Sequence, residues 1–299
     1  MAPRLVLHIG SHKTGTTTIQ HALAANRPLL ESHGVHYSQA FGDRPHSVPI
    51  MRMFLRDPLS YRHVARQALP PLRLAAAIEA DRSALRAEIE AIGDGTLVIS
   101  GEDIGGLEGD DLDDLAAFCN DHFDDVKVVY VVREPEALVR SIHHQLLRSG
   151  EGRADRFRAV AITGRYARVP QRFGAAFGRD RVAVARFEDL LAPDIVRQWC
   201  RRFLDIDDAR LVGDVRNEGL SSAAVWALRW WNRAVPRERP GIVAVKVARP
   251  VRGLLTRLPG RRDLSRPPID AASAARINDA VARLAEDFGI EPYPAVKAD

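Results

Sequence analysis

Short runs rich in β-branched and apolar residues alternate with longer helical patterns along this chain. The predicted strands are Arg4–Gly10, Gly34–Ser38, Thr96–Ser100, Val126–Arg133 and Val182–Phe187. The first, third and fourth are nearly continuous apolar runs, as strands buried on both faces should be. Between them the spacing predicts helices over Thr16–Ser32, Ile78–Ile92, Asp111–Phe123 and Pro135–Ser149. Strand and helix in alternation point to an α/β chain: three α/β/α layers around a central, mainly parallel sheet.

At 299 residues, 46% hydrophobic and 27% charged, the chain is long and apolar enough for a sizeable core, and a single domain over residues 1–299 is expected. A net charge of +4 is modest for this length and does not suggest a nucleic-acid partner, although the pI near 9.3 permits an acidic substrate. Cys119 and Cys200 lie far apart and form no metal-ligand spacing, so two reduced thiols are expected. No leader pattern is visible, and no stretch approaches the roughly 18 apolar residues of a spanning helix. A soluble, cytoplasmic protein is the expectation. The histidines show no spacing such as H-E-x-x-H, and no metal is expected.

Residues 237–266 differ in composition, with nine basic residues against two acidic ones and prolines at 240, 250 and 259. Such a stretch reads as a solvated insertion or lid, or else as a basic surface that meets an anionic acceptor or a membrane face. A closing helix is predicted over Ile269–Gly289.

Two strand ends carry the chemistry. The first is HIGSHKTGTTTIQ, His8 to Gln20. A nucleotide-hydrolysing phosphate loop reads G-x-x-x-x-G-K-[ST]. Here Gly10 and Gly15 keep the separation, but Thr16 follows Gly15 and the lysine, Lys13, lies inside the loop. A glycine-rich turn that opens a helix aims backbone N–H groups and the helix dipole at one point, which suits an anion. Thr16, Thr17 and Thr18 add hydroxyls, and Lys13 adds a mobile point charge. The displaced lysine, and the lack of an apolar strand ending in Asp for magnesium, count against a nucleoside triphosphate.

The second is VKVVYVVREPEALVRSIHHQ, Val126 to Gln145, where a buried strand ends at Arg133 and Pro135 takes the first helical position. Ala137, Ser141, His144 and Gln145 then share a helix face. Arg133 would leave the carboxyl end of a central strand, where open α/β sheets bind ligands, although a surface salt bridge would serve it equally well.

Together these motifs resemble the sulfotransferase family, particularly its bacterial members, whose donor is 3′-phosphoadenosine 5′-phosphosulfate (PAPS). The resemblance implies that family's fold, which is like that of P-loop nucleoside triphosphate hydrolases. It assigns the 5′-phosphosulfate to Lys13, Thr14, Gly15, Thr16 and Thr17, and the 3′-phosphate to Arg133 and Ser141. FGRDRVAVARFEDLL, Phe177 to Leu191, is similar to the family's strand before an E-D-L turn. RNEGLS, Arg216 to Ser221, is similar to an asparagine-containing segment of bacterial members, with Arg216 a loose match to the last 3′-phosphate contact.

A third segment, TLVISGEDIGGL from Thr96 to Leu107, delivers Glu102 and Asp103 to a strand end. If that strand lies beside the first, Glu102 reaches the loop as a general base, the position where the resemblance also implies one. A turn-capping role is the plainer alternative for either carboxylate. His12, inside the loop, is a rival base, as are His143 and His144. The expected activity is sulfuryl transfer from PAPS to a hydroxyl or amine of a small molecule, glycan or lipid, leaving 3′-phosphoadenosine 5′-phosphate (PAP). Acceptor walls are expected from Phe41–Leu55 and from the basic stretch, with peripheral membrane contact as an option. Two other classes stay open: a P-loop kinase or nucleotide hydrolase, and a non-catalytic nucleotide-binding module on the same fold.

Overall fold

The computed structural model describes residues 3–42, 45–150, 165–211, 213, 219–235, 250–265 and 267–299. The chain is α/β. Five strands form one parallel sheet in the order β2-β3-β1-β4-β5: β1 Arg4–His8, β2 Val35–Tyr37, β3 Thr96–Ser100, β4 Asp125–Val132 and β5 Val182–Arg186. All five predicted strands exist, each shorter at its ends or shifted by one residue, except β3, whose bounds are as predicted.

The helices are α1 Thr16–Ala25, α2 Arg27–Glu31, α3 Ser47–Phe54, α4 Arg62–Ala65, α5 Pro71–Ala91, α6 Asp110–His122, α7 Pro135–Ser149, α8 Arg165–Phe177, α9 Ile195–Leu204, α10 Ser222–Ala234 and α11 Ala271–Phe288. The single helix predicted over Thr16–Ser32 is two, broken at Asn26 (φ −103°, ψ 16°). Pro28 explains the break: it brings no N–H to a ladder and fits only a helix's first turn. Among the described residues no helix is long and apolar enough to cross a membrane.

The described residues divide into two compact units. One comprises those of Met1–Val132, Ala167–Asp214 and Asp287–Ile290, the other those of Arg133–Tyr166, Val215–Glu286 and Glu291–Asp299. In the first unit, the parallel register aligns Val6 with Val98 and His8 with Ser100, so alternate residues share a face. Val6, Val98, Val129 and Val131 pack there against Ile19, Leu23 and Trp199 of α1 and α9. Leu5, Leu7, Leu97, Ile99 and Val128 point to the opposite face and are equally buried, and α6 packs on β4. Burial on both faces accounts for the continuous apolar runs.

The strand order makes β1 central. The connection after β1 runs to one side of it, to β2, and the connection after β3 crosses to the other, to β4. Such reversal leaves a crevice at the carboxyl ends of the strands, where the loop after β1 lies.

In the second unit, α10 packs Ala224, Val225 and Leu228 against Leu147 of α7. Asn232 Nδ2 donates to the Leu147 carbonyl (2.8 Å), and Arg252 Nε donates to Asn232 Oδ1 (3.0 Å). The predicted closing helix is α11, with Ile277, Val281 and Leu284 buried. Of the basic stretch 237–266, residues 237–249 and 266 lie outside the described residues, and 250–255 are helical.

Candidate functional site

The loop from Gly10 to Gly15 leaves β1 at the crevice and is tied to both neighbouring strands. Ser11 N donates to Val131 O of β4 (3.3 Å), and on the β3 side Gly101 N donates to His8 O (2.9 Å). Thr14, fully buried, donates its hydroxyl to Ser11 O (2.6 Å), which closes the turn and engages that hydroxyl inside the loop. Lys13 has φ 68° and Gly15 φ 78°. The first is rare for a residue with a side chain and marks a loop over-determined by its surroundings. At Gly15 a Cβ would lie 2.6 Å from Ile195 Cδ1 and 3.1 Å from Phe187 Cε2, so the start of α9 and the turn after β5 press on this point.

α1 begins on Gly15 with no side-chain cap and no acidic residue in its first turn. Three helices carry a side-chain cap, α7 from the Glu134 carboxylate, α9 from Asp194 and α10 from Ser221, whereas α2 to α6 share with α1 the lack of one. Thr16 Oγ1 is buried with no hydrogen-bond partner among the described residues. Uncapped amides, an unsatisfied buried hydroxyl and a loop lysine fit an anionic group such as the phosphate of a nucleotide donor.

Beneath the loop runs a buried polar chain. His8 Nδ1 lies 2.9 Å from Ser100 Oγ, Gln20 Nε2 donates to Ser100 O (2.9 Å), and Ser100 N donates to His46 Nδ1 (3.2 Å). Burial pushes His8 down to about 3. It also lowers His46 to about 4, with the Arg27 charge as a further cause. Both are neutral at ordinary pH.

β3 lies beside β1, which meets the condition for Glu102 to reach the loop, and its carboxyl end brings Glu102 and Asp103 there. His12 Nδ1 is 3.2 Å from Glu102 Oε1, and His12 Nε2 is 3.5 Å from Asp103 Oδ1. Asp103 is held further: Tyr61 OH donates to its Oδ2 (2.5 Å), and its backbone N–H donates to Ser47 Oγ (3.2 Å). Burial first, and the Asp103 carboxylate second, raise the Tyr61 phenol well above its ordinary value, so it is always a donor here.

Glu102 and Asp103 line a cavity of about 580 Å³. α1 presents Thr17, Gln20, His21 and Ala24 to it, a helical stripe. Pro45, His46 and Ser47 supply another wall, within the Phe41–Leu55 segment expected to do so. The exit of β2 is fixed by Glu88, which accepts from Ser38 Oγ (2.6 Å) and Gln39 N (2.6 Å).

Lys13, Thr14, Gly15, Thr16, Thr17, His12 and Glu102 are thus brought together in the first unit. Arg133 and Ser141 belong to the second. Arg133 directly follows β4, and its carbonyl accepts from Tyr166 OH. Pro135 is in the first turn of α7 as predicted, and Ser141 is half-buried. His143 and His144 are buried within this unit, and burial pushes His144 down to about 4. Arg216 lies outside the described residues. Tyr61, Arg27 and Glu88 escape sequence reasoning: they come from a turn, a helix start and a helix with no motif of their own.

No family model and no curated protein matches the sequence. Among solved structures, the chain is similar to a sulfotransferase from Alicyclobacillus acidocaldarius (17% identity, 97% of each chain covered, TM-score 0.43). It is also similar to the sulfotransferase domain from the curacin biosynthetic pathway (15% identity, 98% of this chain and 99% of that one, TM-score 0.40).

Proposed function

We propose that the protein transfers a sulfuryl group from PAPS to a hydroxyl or amine acceptor. The observation that carries this reading is that an uncapped helix start behind a lysine-bearing loop stands beside a carboxylate, Glu102, which lines a cavity. PAPS would supply an activated sulfuryl group on a good leaving group.

The amides of α1's first turn, with Thr16 and Thr17, would hold the 5′-phosphate, and Lys13 would neutralise charge growing on the bridging oxygen. Glu102 takes the acceptor proton as the acceptor oxygen or nitrogen bonds to sulfur and the sulfur–oxygen bond to the phosphate breaks. PAP departs, and the proton stays on Glu102 until solvent removes it. Glu102 is preferred to His12 as the base because Glu102 lines the cavity, whereas His12, 3.2 Å from it, is not one of the lining residues. Asp103, held by Tyr61 and Ser47, positions His12. To Arg133 and Ser141 we assign the 3′-phosphate on the sequence resemblance alone.

Calorimetric titration with PAP, without magnesium and against AMP and ATP, tests the reading. Binding that requires the 3′-phosphate and weakens in Arg133→Ala supports it. Preference for ATP with magnesium would return the loop to the kinases and hydrolases, and PAP binding without turnover on any acceptor would leave a nucleotide-binding module.

A further inference from the structure

The acceptor cavity is electrically polarised. Glu102 and Asp103 line it, and so does Arg27, the first residue of α2, which follows in the chain the α1 stripe Thr17, Gln20, His21 and Ala24. Thr17 to Ala24 alone is seven helical rises, ~10 Å along a helix axis.

Arg27 is half-buried and has no carboxylate within ion-pair distance among the described residues. Its Nε makes one long hydrogen bond, to Tyr37 O (3.4 Å), and its guanidinium lies over the Tyr37 ring at 5.3 Å. Tyr37 in turn stacks on His46 (4.7 Å, 25°), so the guanidinium rests on a rigid aromatic platform. A planar fork anchored through one N–H, with its other donors uncommitted to any carboxylate, matches a bidentate anion. The two carboxylates, which flank His12 of the loop before α1, would repel that anion, which fixes the direction in which such a molecule enters.

We propose that the cavity takes an elongated acceptor bearing a carboxylate, sulfate or phosphate group, with that anion on Arg27 and the reacting hydroxyl or amine at Glu102. The role of acceptor rests on the sulfuryl-transfer reading; the preference for an anion does not.

The test uses the full chain saturated with PAP, and matched probes: 4-hydroxyphenylacetate against its amide, and 4-nitrophenyl β-D-glucuronide against the glucoside. Binding is measured by ligand-observed NMR and calorimetry, with circular dichroism to confirm that variants fold. The charged member of each pair should bind about tenfold tighter or more, as a charge-assisted hydrogen-bond pair warrants. That advantage should vanish in Arg27→Gln, persist in part in Arg27→Lys, and leave PAP affinity unchanged in both. Equal binding of charged and neutral probes, an advantage that survives Arg27→Gln, or no carboxylate binding at millimolar concentration would each overturn the inference. The two readings fail separately. A carboxylate preference in a chain that does not bind PAP keeps the anion site and sinks the transfer reading; PAP binding without the preference does the reverse.

Discussion

His12 lies between two carboxylates, with Nδ1 3.2 Å from Glu102 Oε1 and Nε2 3.5 Å from Asp103 Oδ1. Of the two acids, Asp103 is also tied down by Tyr61 OH at 2.5 Å, so the three side chains hold unequal duties. Glu102→Gln keeps the size and loses the proton acceptor. It should lower kcat roughly 100- to 10,000-fold, the usual worth of a general base, while PAP affinity stays within a factor of a few. Asp103→Asn should cost less in kcat, because it loosens His12 without removing the base. Steady-state turnover beside PAP calorimetry separates the two effects, and undiminished turnover in Glu102→Gln would remove Glu102 from the chemistry.

Gly15→Ala tests how tightly the loop is built. The new Cβ would meet Ile195 Cδ1 at 2.6 Å in a residue whose φ is 78°. Strain of both kinds should destabilise the protein by about 1–3 kcal/mol and weaken PAP binding with it. Gly93→Ala is the control: its φ is 62°, but no atom lies within 4 Å of the added Cβ. It should carry only the backbone cost of a left-handed residue, roughly 1–2 kcal/mol, and leave PAP affinity unchanged. Urea unfolding and calorimetry on both variants decide it; equal effects would mean that the contact with α9 does not matter.

The sheet was legible because β1, β3 and β4 are buried on both faces, which writes an apolar run directly into the sequence. α7 was legible at both ends for a different reason: Pro135 sits in its first turn, and Gly150 closes it in the left-handed conformation (φ 74°). The start of α5 was not. It begins at Pro71 rather than Ile78: its buried residues are Asp81, Leu85 and Ile89, while in its first turns Leu74, Ala77 and Ile78 are only half-buried and Leu72, Ala75 and Ala76 are exposed, so apolar residues there surround the helix and mark no single face. In the site, Glu102 and His12 could be found because each sits at the end of a recognisable strand. Tyr61 and Arg27 could not, since only the folding of distant segments brings them to the cavity.

Asp81 shows the same limit in the core. In the sequence it is one more helical acid, yet it is buried against Arg52 of α3, whose Nε donates to its Oδ2 at 2.9 Å, and Arg52 Nη1 reaches Gln67 at 3.1 Å. Removing the Asp81 carboxylate leaves the Arg52 charge buried with the neutral Gln67 amide in place of its counter-ion. Asp81→Ala should therefore cost about 3–5 kcal/mol in urea unfolding. The double change Arg52→Met with Asp81→Leu should recover much of that loss, because two apolar side chains avoid the desolvation of both charges. A loss under about 1 kcal/mol in the single variant would show that the pair is solvated.

The buried histidines make stability depend on pH in a stated direction. His46 falls from 6.5 to about 4 and His8 from 6.5 to about 3 on folding, each chiefly through burial. The unfolded chain therefore takes up protons that the folded one refuses. Their contribution is fully present above pH 6.5, and it declines as pH falls through 6.5 towards about 4 for His46 and about 3 for His8. Below 6.5 each histidine should remove up to ~1.4 kcal/mol per pH unit. Urea unfolding of the whole chain at steps between pH 7.5 and 4.5 should show this slope, and His46→Gln should show it reduced by about one proton's worth. A flat profile across that window would mean that His8 and His46 titrate in the folded protein as they do in water.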